Sequence, residues 1–435
     1  MQEQPRDGSQ DKEQMELKET GGAFFPDGRY LEVVKCRTGQ LWLLDSGNVL
    51  ERKVAIEDQV FVPPVLSPAI LRILTLPTLP CDYDSTMNLF RRIHSLFEKH
   101  NIPDDAAGRL THFALASWFA DLLLVAPSLI ITGSRPAANI VLQLLAVFVR
   151  HGLPIAEISP TVFRQLPMQV QPTLLISDLE QSMWKLFCRS SYHSYLPDSG
   201  WVDRYCSKAA YAGPDFRDAP EGEVVLHVHL APAHGKLPII ATHTQREKAA
   251  VFQPLMLDYR VKNFTKVRDS AFEAPTFEPN LRLLAQALGA CIVDDDRLQA
   301  GIIPLLEDQR ELLAANRWID PRCVVLETLV SLCHSQASGR LGVGEIAKAA
   351  TATLIERGET AQLEAKPMGI RLRALGLTPK RDSQGYALVL SDDLRRKIHR
   401  LARDYQVEVV NQADNSCSHC AELAAAGEES RTATI

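Results

Sequence analysis

The sequence lacks any long hydrophobic run. Its most apolar stretch, Leu122 to Ile131, is about half of the ~20 residues that a membrane-spanning helix needs, and it contains Pro127. No apolar h-region follows the polar, acidic opening MQEQPRDGSQDKEQ, so a secretory signal peptide is not expected and the chain is predicted to be cytoplasmic, with no membrane partner. A disulfide framework is also missing. The nine cysteines are an odd number, and all but Cys417 and Cys420 stand singly within apolar or helical patterns, as reduced thiols do. Neither Gly-x-Ser-x-Gly nor His-Glu-x-x-His occurs, and there is no internal repeat. No charge sign dominates the whole: 47 Lys+Arg stand against 53 Asp+Glu, a formal −6. With 46% hydrophobic and 23% charged residues the chain is globular, not collagenous, mucin-like or wholly disordered. Its 435 residues are enough for roughly two to four domains.

What is present is divided unevenly. Residues 1–22 are too polar to offset the entropy of ordering and are expected to be disordered. Alternating stretches such as Tyr30 to Val34 and Leu41 to Leu44, separated by turn signals at Gly28, Gly39 and Ser46-Gly47-Asn48, predict a small β-rich module over 23–85. Its last part is a connector rich in Pro63, Pro64, Pro77 and Pro80. Over 86–245 helical periods alternate with buried strands at Leu129–Thr132, Ile155–Ile158, Leu174–Ile176, Val224–Leu230 and Pro238–Thr242. That alternation predicts an α/β fold with a largely parallel sheet. A helical lid is expected over 246–320, a further domain over 321–408 and a disordered tail over 409–435.

An apolar strand, a loop opening on Gly133 and an apolar helix from Ile140 have the layout of a phosphate-binding loop, in which backbone N–H groups and a helix N-terminus cradle phosphates. The rest of the motif is absent. Ala138 stands at the second glycine, Asn139 at the lysine and Ile140 at the hydroxyl residue, and Pro136 removes a loop N–H. Losing the lysine removes a charge-assisted bond worth about 1.5–3 kcal/mol, and Ile140 cannot ligate magnesium. The strand Pro172-Thr173-Leu174-Leu175-Ile176-Ser177-Asp178 is degraded in the same sense. Ser177 takes the position of the magnesium-associated aspartate and Asp178 that of the catalytic glutamate. Three readings remain open: an ordinary βα unit with a glycine turn, a phosphate-binding domain that has lost catalysis, or a site completed from elsewhere in the chain.

Four stretches together resemble the P-loop ATPase-like domains of phage and plasmid primase–helicase proteins, within the AAA+/helicase group. They are Trp118-Phe119-Ala120-Asp121 through Gly133, Arg150-His151-Gly152-Leu153, Pro172 to Asp178, and the element from Lys366 to Tyr386, spanning about 110–405. The resemblance implies a P-loop-type core and a polar phosphate-sensing residue at Thr242 or His243. It also implies an arginine reaching a neighbouring subunit, with Arg189, Arg204 and Arg246 as candidates, and hence a homo-oligomer. The remnant of a nucleotide site would comprise Gly133, Ser134, Asn139, Asp178 and Thr242. The departures at Ala138, Asn139, Ile140 and Ser177 predict no catalytic residue and no cofactor, ATP with magnesium entering only if the chain is an active NTPase.

Residues 321–408 read as three helices, a hairpin and a helix. Val325, Leu329 and Leu332 form one stripe, Ile346, Ala350 and Leu354 the next, and Met368, Leu372 and Leu375 the third. Gly376 caps the third helix, Lys380 to Gly385 forms a hairpin tip, and Ser391 caps the last helix. This is the winged-helix order. Residues 366–403 carry ten basic and three acidic side chains, a local +7 on an otherwise acidic body. Nucleic-acid contact is assigned to Lys366, Arg371, Arg373, Lys380, Arg381, Arg395 and Arg396.

Weaker constellations are read as structural. Cys417-Ser418-His419-Cys420 lacks a partner pair nearby, and Cys333-His334 could complete it only if the tail folded back, so no metal site is expected. His227 and His229 share a strand face, and Asp294-Asp295-Asp296 starts a helix. The chain is therefore expected to be a catalytically degenerate ATPase-like protein that binds nucleic acid as a scaffold or adaptor in replication, mobile-element or defence processes. The competing expectations are an active NTPase motor or loader, and a protein-binding assembly factor.

Overall fold

A computed structural model describes residues 16–188, 193–196, 200–203, 205–214, 224–232, 240–335, 339–407 and 417–421. The chain divides into two compact units between Gln309 and Arg310. Both mix helices with strands, and the α/β class expected from the alternation is what forms. No described helix is long and apolar enough to cross a membrane.

The first unit opens with short antiparallel strands, Gly22–Phe24, Tyr30–Lys35, Leu41–Asp45 and Leu50–Glu51, turning where Gly28 and Gly39 take positive φ. The expected disorder before residue 23 does not hold from Glu16 onward. Glu16–Glu19 is a strand paired in parallel with Gln59–Val62. The Gly21 N–H donates to the Gln169 carbonyl at 2.7 Å just beyond it. Backbone hydrogen bonds hold this strand, and a rule based on apolar content does not register them.

The centre of this unit is a parallel sheet of five strands: β1 (Ser128–Gly133), β2 (Gly152–Glu157), β3 (Thr173–Asp178), β4 (Lys208–Tyr211) and β5 (Val225–Leu230). Their spatial order is β5-β1-β4-β3-β2. The helix α1 (Asp104–Ser117) is buried along most of its length, and α2 (Arg135–Phe148) shares with it a core built on Leu110, Phe113, Leu144 and Phe148. Two sequence expectations are corrected. The central strand β4 has no counterpart among the expected strands, whereas Ile240 and Ala241 are not in a strand and Thr242 begins the helix α3 (Thr242–Arg268); Pro238 and Ile239 lie outside the described residues. Nor do the helices after residue 245 stand apart as a lid. Phe252, Leu255, Leu257, Leu281 and Leu288 are buried in the same core as the sheet, as apolar helix faces packed on a shared core are.

A buried ionic cluster ties these layers together. Glu32 accepts from Arg150 Nε at 2.7 Å and from Arg260 Nε at 3.0 Å, and His151 Nε2 lies 3.3 Å away. Arg260 also bonds Asp121 at 2.6 Å. Burial alone would raise the Glu32 pKa, but Arg150 and Arg260 outweigh it and hold the carboxyl well below the carboxylate range.

The second unit contains α4 (Pro321–Ser335), β6 (Gly339–Gly342), α5 (Val343–Glu356), α6 (Ala365–Ala374), β7 (Lys380–Asp382), β8 (Gly385–Leu390) and α7 (Asp392–Asp404). The apolar stripes meet as expected in a core containing Leu329, Ile346, Leu354, Met368, Leu372 and Ile398. The strand β6, bounded by glycines and invisible as a periodic signal, pairs antiparallel with β8. Against the expectation of a disordered tail, residues 417–421 form a helical turn in which His419 and Cys420 are buried.

Candidate functional site

All five parallel strands end on one edge, at Gly133, Glu157, Asp178, Tyr211 and Leu230. From β1 the chain crosses past β4 and β3 to reach β2, and from β4 it returns past β1 to reach β5. Those opposite crossings place the topological switch beside β1 and β4, where open α/β sheets bind ligands.

A phosphate cradle requires free backbone N–H groups there, and the junction of β1 with α2 has few. One residue, Ser134, separates strand from helix, so Arg135 to Asn139 form the first helical turns instead of the expected loop. Ser134 as N-cap and Pro136 at the helix start favour that early entry. The Ser134 N–H donates to the Leu230 carbonyl at 2.7 Å and the Ala138 N–H to the Ser134 carbonyl at 2.9 Å. The Ala137 N–H meets Ser134 Oγ at 3.5 Å, and Pro136 has no N–H to give. Gly133, at φ +86°, lies so close to β5 that a Cβ would stand 2.2 Å from the Leu230 carbonyl oxygen. Gly133 is thus used for packing against the neighbouring strand.

Arg135 occupies the mouth of the junction. Its guanidinium bonds the Asp178 carboxylate and lies 5.4 Å from the Tyr211 ring centroid. Tyr211 in turn donates to the Gly133 carbonyl at 2.9 Å. Sequence reasoning missed both Arg135 and Tyr211. The strand carrying Tyr211 is four residues long and starts with the buried Lys208, which breaks any apolar pattern.

Alongside this mouth runs an open cleft of about 580 Å³, lined by Arg135, Asn139 and Gln143 of α2 and by Glu157, Ser177, Asp178 and Gln245. Arg135, Asn139 and Gln143 follow at i, i+4 and i+8 and so share a face. One arginine against two carboxylates gives the lining no positive excess to attract a phosphate chain.

The structure brings Gly133, Ser134, Asn139 and Asp178 to this region, but not as a cradle. Thr242 and His243 are exposed at the start of α3, one turn before Gln245. Arg246 is exposed on the same helix, and Arg189 and Arg204 lie outside the described residues. His229 contacts Thr132 Oγ1 at 3.1 Å through Nδ1, and Asp295 caps the helix Asp296–Ala300.

No family model matches this chain, and no curated protein matches it. Among solved structures the chain is similar to the apo C-terminal region of NrS-1, at 8% identity and a TM-score of 0.35, covering 83% of this chain and 96% of that one. A second structure of that region gives 7% and 0.34, with 83% and 97% covered. A Drosophila ORC bound to DNA follows at 10% and 0.16, covering 75% and 87%. At these TM-scores the likenesses carry no functional argument.

The seven basic side chains assigned to nucleic-acid contact fall into two groups. Lys366 and Arg373 are exposed on α6, with Arg371 half-buried between them, and Lys380 and Arg381 are exposed on the edge strand β7. None of these five makes an ion pair among the described residues. Lys366, Ile370 and Arg373, spaced i, i+4 and i+7, form one outward face, and Ile370 is 60% exposed there. The other two assigned residues are committed elsewhere. Arg395 donates to the Cys333 carbonyl at 2.5 Å, and Arg396 pairs with Asp392 at 3.0 Å and Asp393 at 3.4 Å. A separate constellation in this unit brings His334, His399, Cys417 and Cys420 together.

Proposed function

We propose that the chain is a non-hydrolysing relative of P-loop ATPases that binds nucleic acid through a winged helix in residues 321–408, acting as a scaffold or adaptor. The observation that carries this reading is the exposed face of Lys366, Ile370 and Arg373, with Lys380 and Arg381 on the hairpin that follows in sequence. Side chains of this kind neutralise backbone phosphates, and an aliphatic residue between them suits contact with a thymine methyl in a groove. The order helix, strand, helix, helix, hairpin, helix fits a winged helix. The non-hydrolysing half is supported by the spent N–H groups between Gly133 and Ala138 and by Arg135 closing on Asp178.

The test is fluorescence anisotropy of labelled duplex and single-stranded oligonucleotides across a salt series. The affinity falls linearly on a log–log plot, and the combined replacement of Lys366, Arg373, Lys380 and Arg381 by alanine flattens the slope by about one for each phosphate left without its cation. Binding that ignores salt, or none at low salt, overturns the nucleic-acid reading in favour of protein docking. Steady multiple turnover of labelled ATP overturns the non-hydrolysing one.

A further inference from the structure

We propose that His334, His399, Cys417 and Cys420 form a structural zinc site that fastens the Cys417–Ala421 turn to α4 and α7. The four donor atoms lie within 4.8 Å of one another. His334 Nε2 and His399 Nε2 are 3.0 Å apart, Cys417 Sγ is 3.5 Å from His399 Nε2, and Cys420 Sγ is 3.4 Å from His334 Nε2. Tetrahedral zinc, with Zn–N near 2.0–2.1 Å and Zn–S near 2.3 Å, requires N–N and N–S edges of about 3.3 and 3.5 Å. The four side chains therefore close around a cation after small shifts.

The supporting contacts select the correct nitrogen. His399 Nδ1 lies 2.8 Å from the Arg395 carbonyl, which can only accept, so Nδ1 carries the proton and Nε2 presents its lone pair to the cluster. The two thiols come from one helical turn, in which the Ala421 N–H donates to the Cys417 carbonyl at 3.1 Å. His419, between them in sequence, reaches Asp392 at 3.2 Å and anchors the turn to the start of α7. Two thiolates and two imidazoles, with His399 and Cys420 buried, make a closed set with no place for a substrate, and this donor chemistry selects zinc over magnesium or calcium. The ligands are scattered, with 64 residues between the histidines, so the sequence shows only the Cys-x-x-Cys half.

The full chain, purified without chelator from zinc-supplemented cells, is expected to carry zinc at unit stoichiometry by elemental analysis. Cobalt exchange is expected to give the intense visible bands of a tetrahedral ion and a thiolate-to-metal charge-transfer band. Cys417→Ser and His399→Gln lose the metal, whereas Cys333→Ser, one residue from a ligand but outside the set, keeps it. Chelation lowers the melting temperature of the native chain and leaves that of Cys417→Ser unchanged. Metal-free protein with no cobalt spectrum overturns the proposal, as does a Cys417–Cys420 disulfide detected as loss of both thiols or full zinc occupancy in Cys417→Ser. The cobalt spectrum of the unsubstituted chain decides the matter even if a variant fails to fold.

Discussion

Glu32 stands 1% exposed between two guanidiniums, and its worth to the fold lies in what its removal would leave behind. A buried ion pair gains little over an apolar replacement of the same volume, but taking away one partner strands the other charge in a poorly solvating interior. Glu32→Gln leaves Arg150 and Arg260 facing a neutral amide, with Asp121 alone to balance two buried cations. It is expected to lower unfolding free energy by about 3–5 kcal/mol in urea titrations. Adding Arg260→Met should recover part of that loss, because the two sites share one network and their effects do not add. None of this is legible in the sequence. Glu32 occupies one position of the alternation Tyr30-Leu31-Glu32-Val33-Val34 and reads as a solvent-facing residue, while its partners lie 118 and 228 residues further on.

Elements with a strong period are legible in the sequence, and those defined by pairing or by distant chain are not. The stripes at Leu329, Ile346, Met368 and Leu372 lie in the core of the second unit because helical spacing puts them on one side. The strands β4 and β6, each of four residues, have no such signal and exist through their neighbours' hydrogen bonds. Of the candidate site, the glycine turn and the missing lysine are visible. The early start of α2, which turns the expected loop into helix, requires knowing where the Ser134 N–H is spent. On the last helix, charge counting overstates the unbalanced positive charge, since Arg396 is balanced by Asp392 and Asp393 one turn away. Arg373, exposed on α6 without an ion pair among the described residues, differs from it in this respect. Arg396→Ala is therefore expected to leave the salt slope of nucleic-acid binding unchanged. Arg373→Ala should reduce that slope by about one. Equal effects in parallel anisotropy titrations would show that the local carboxylates do not screen Arg396.

At the scale of the whole molecule, acid sensitivity should begin with histidines before any carboxylate titrates. Desolvation pushes the His112 pKa down to about 3 and that of His227 down to about 4, and burial also lowers His151. Each stays neutral in the folded chain as pH falls below the ordinary histidine value of about 6.5, whereas the unfolded chain takes up the proton. The unfolded state then binds more protons, so stability is full above about pH 6.5 and declines as pH falls toward the folded pKa values. The slope is about 1.4 kcal/mol per pH unit for His112 and for His227, or roughly 2 kcal/mol for each of these two between pH 7 and 5. Glu32, whose folded pKa is depressed, adds its own loss only below its unfolded value of 4.5. Urea midpoints measured from pH 8 to 4 should therefore be flat to about pH 6.5 and fall below it. The double variant His112→Gln/His227→Gln should flatten that fall, at some cost in absolute stability. A fall confined to pH below about 4.5 would instead assign acid unfolding to the carboxylates and leave these two histidines without a part in it.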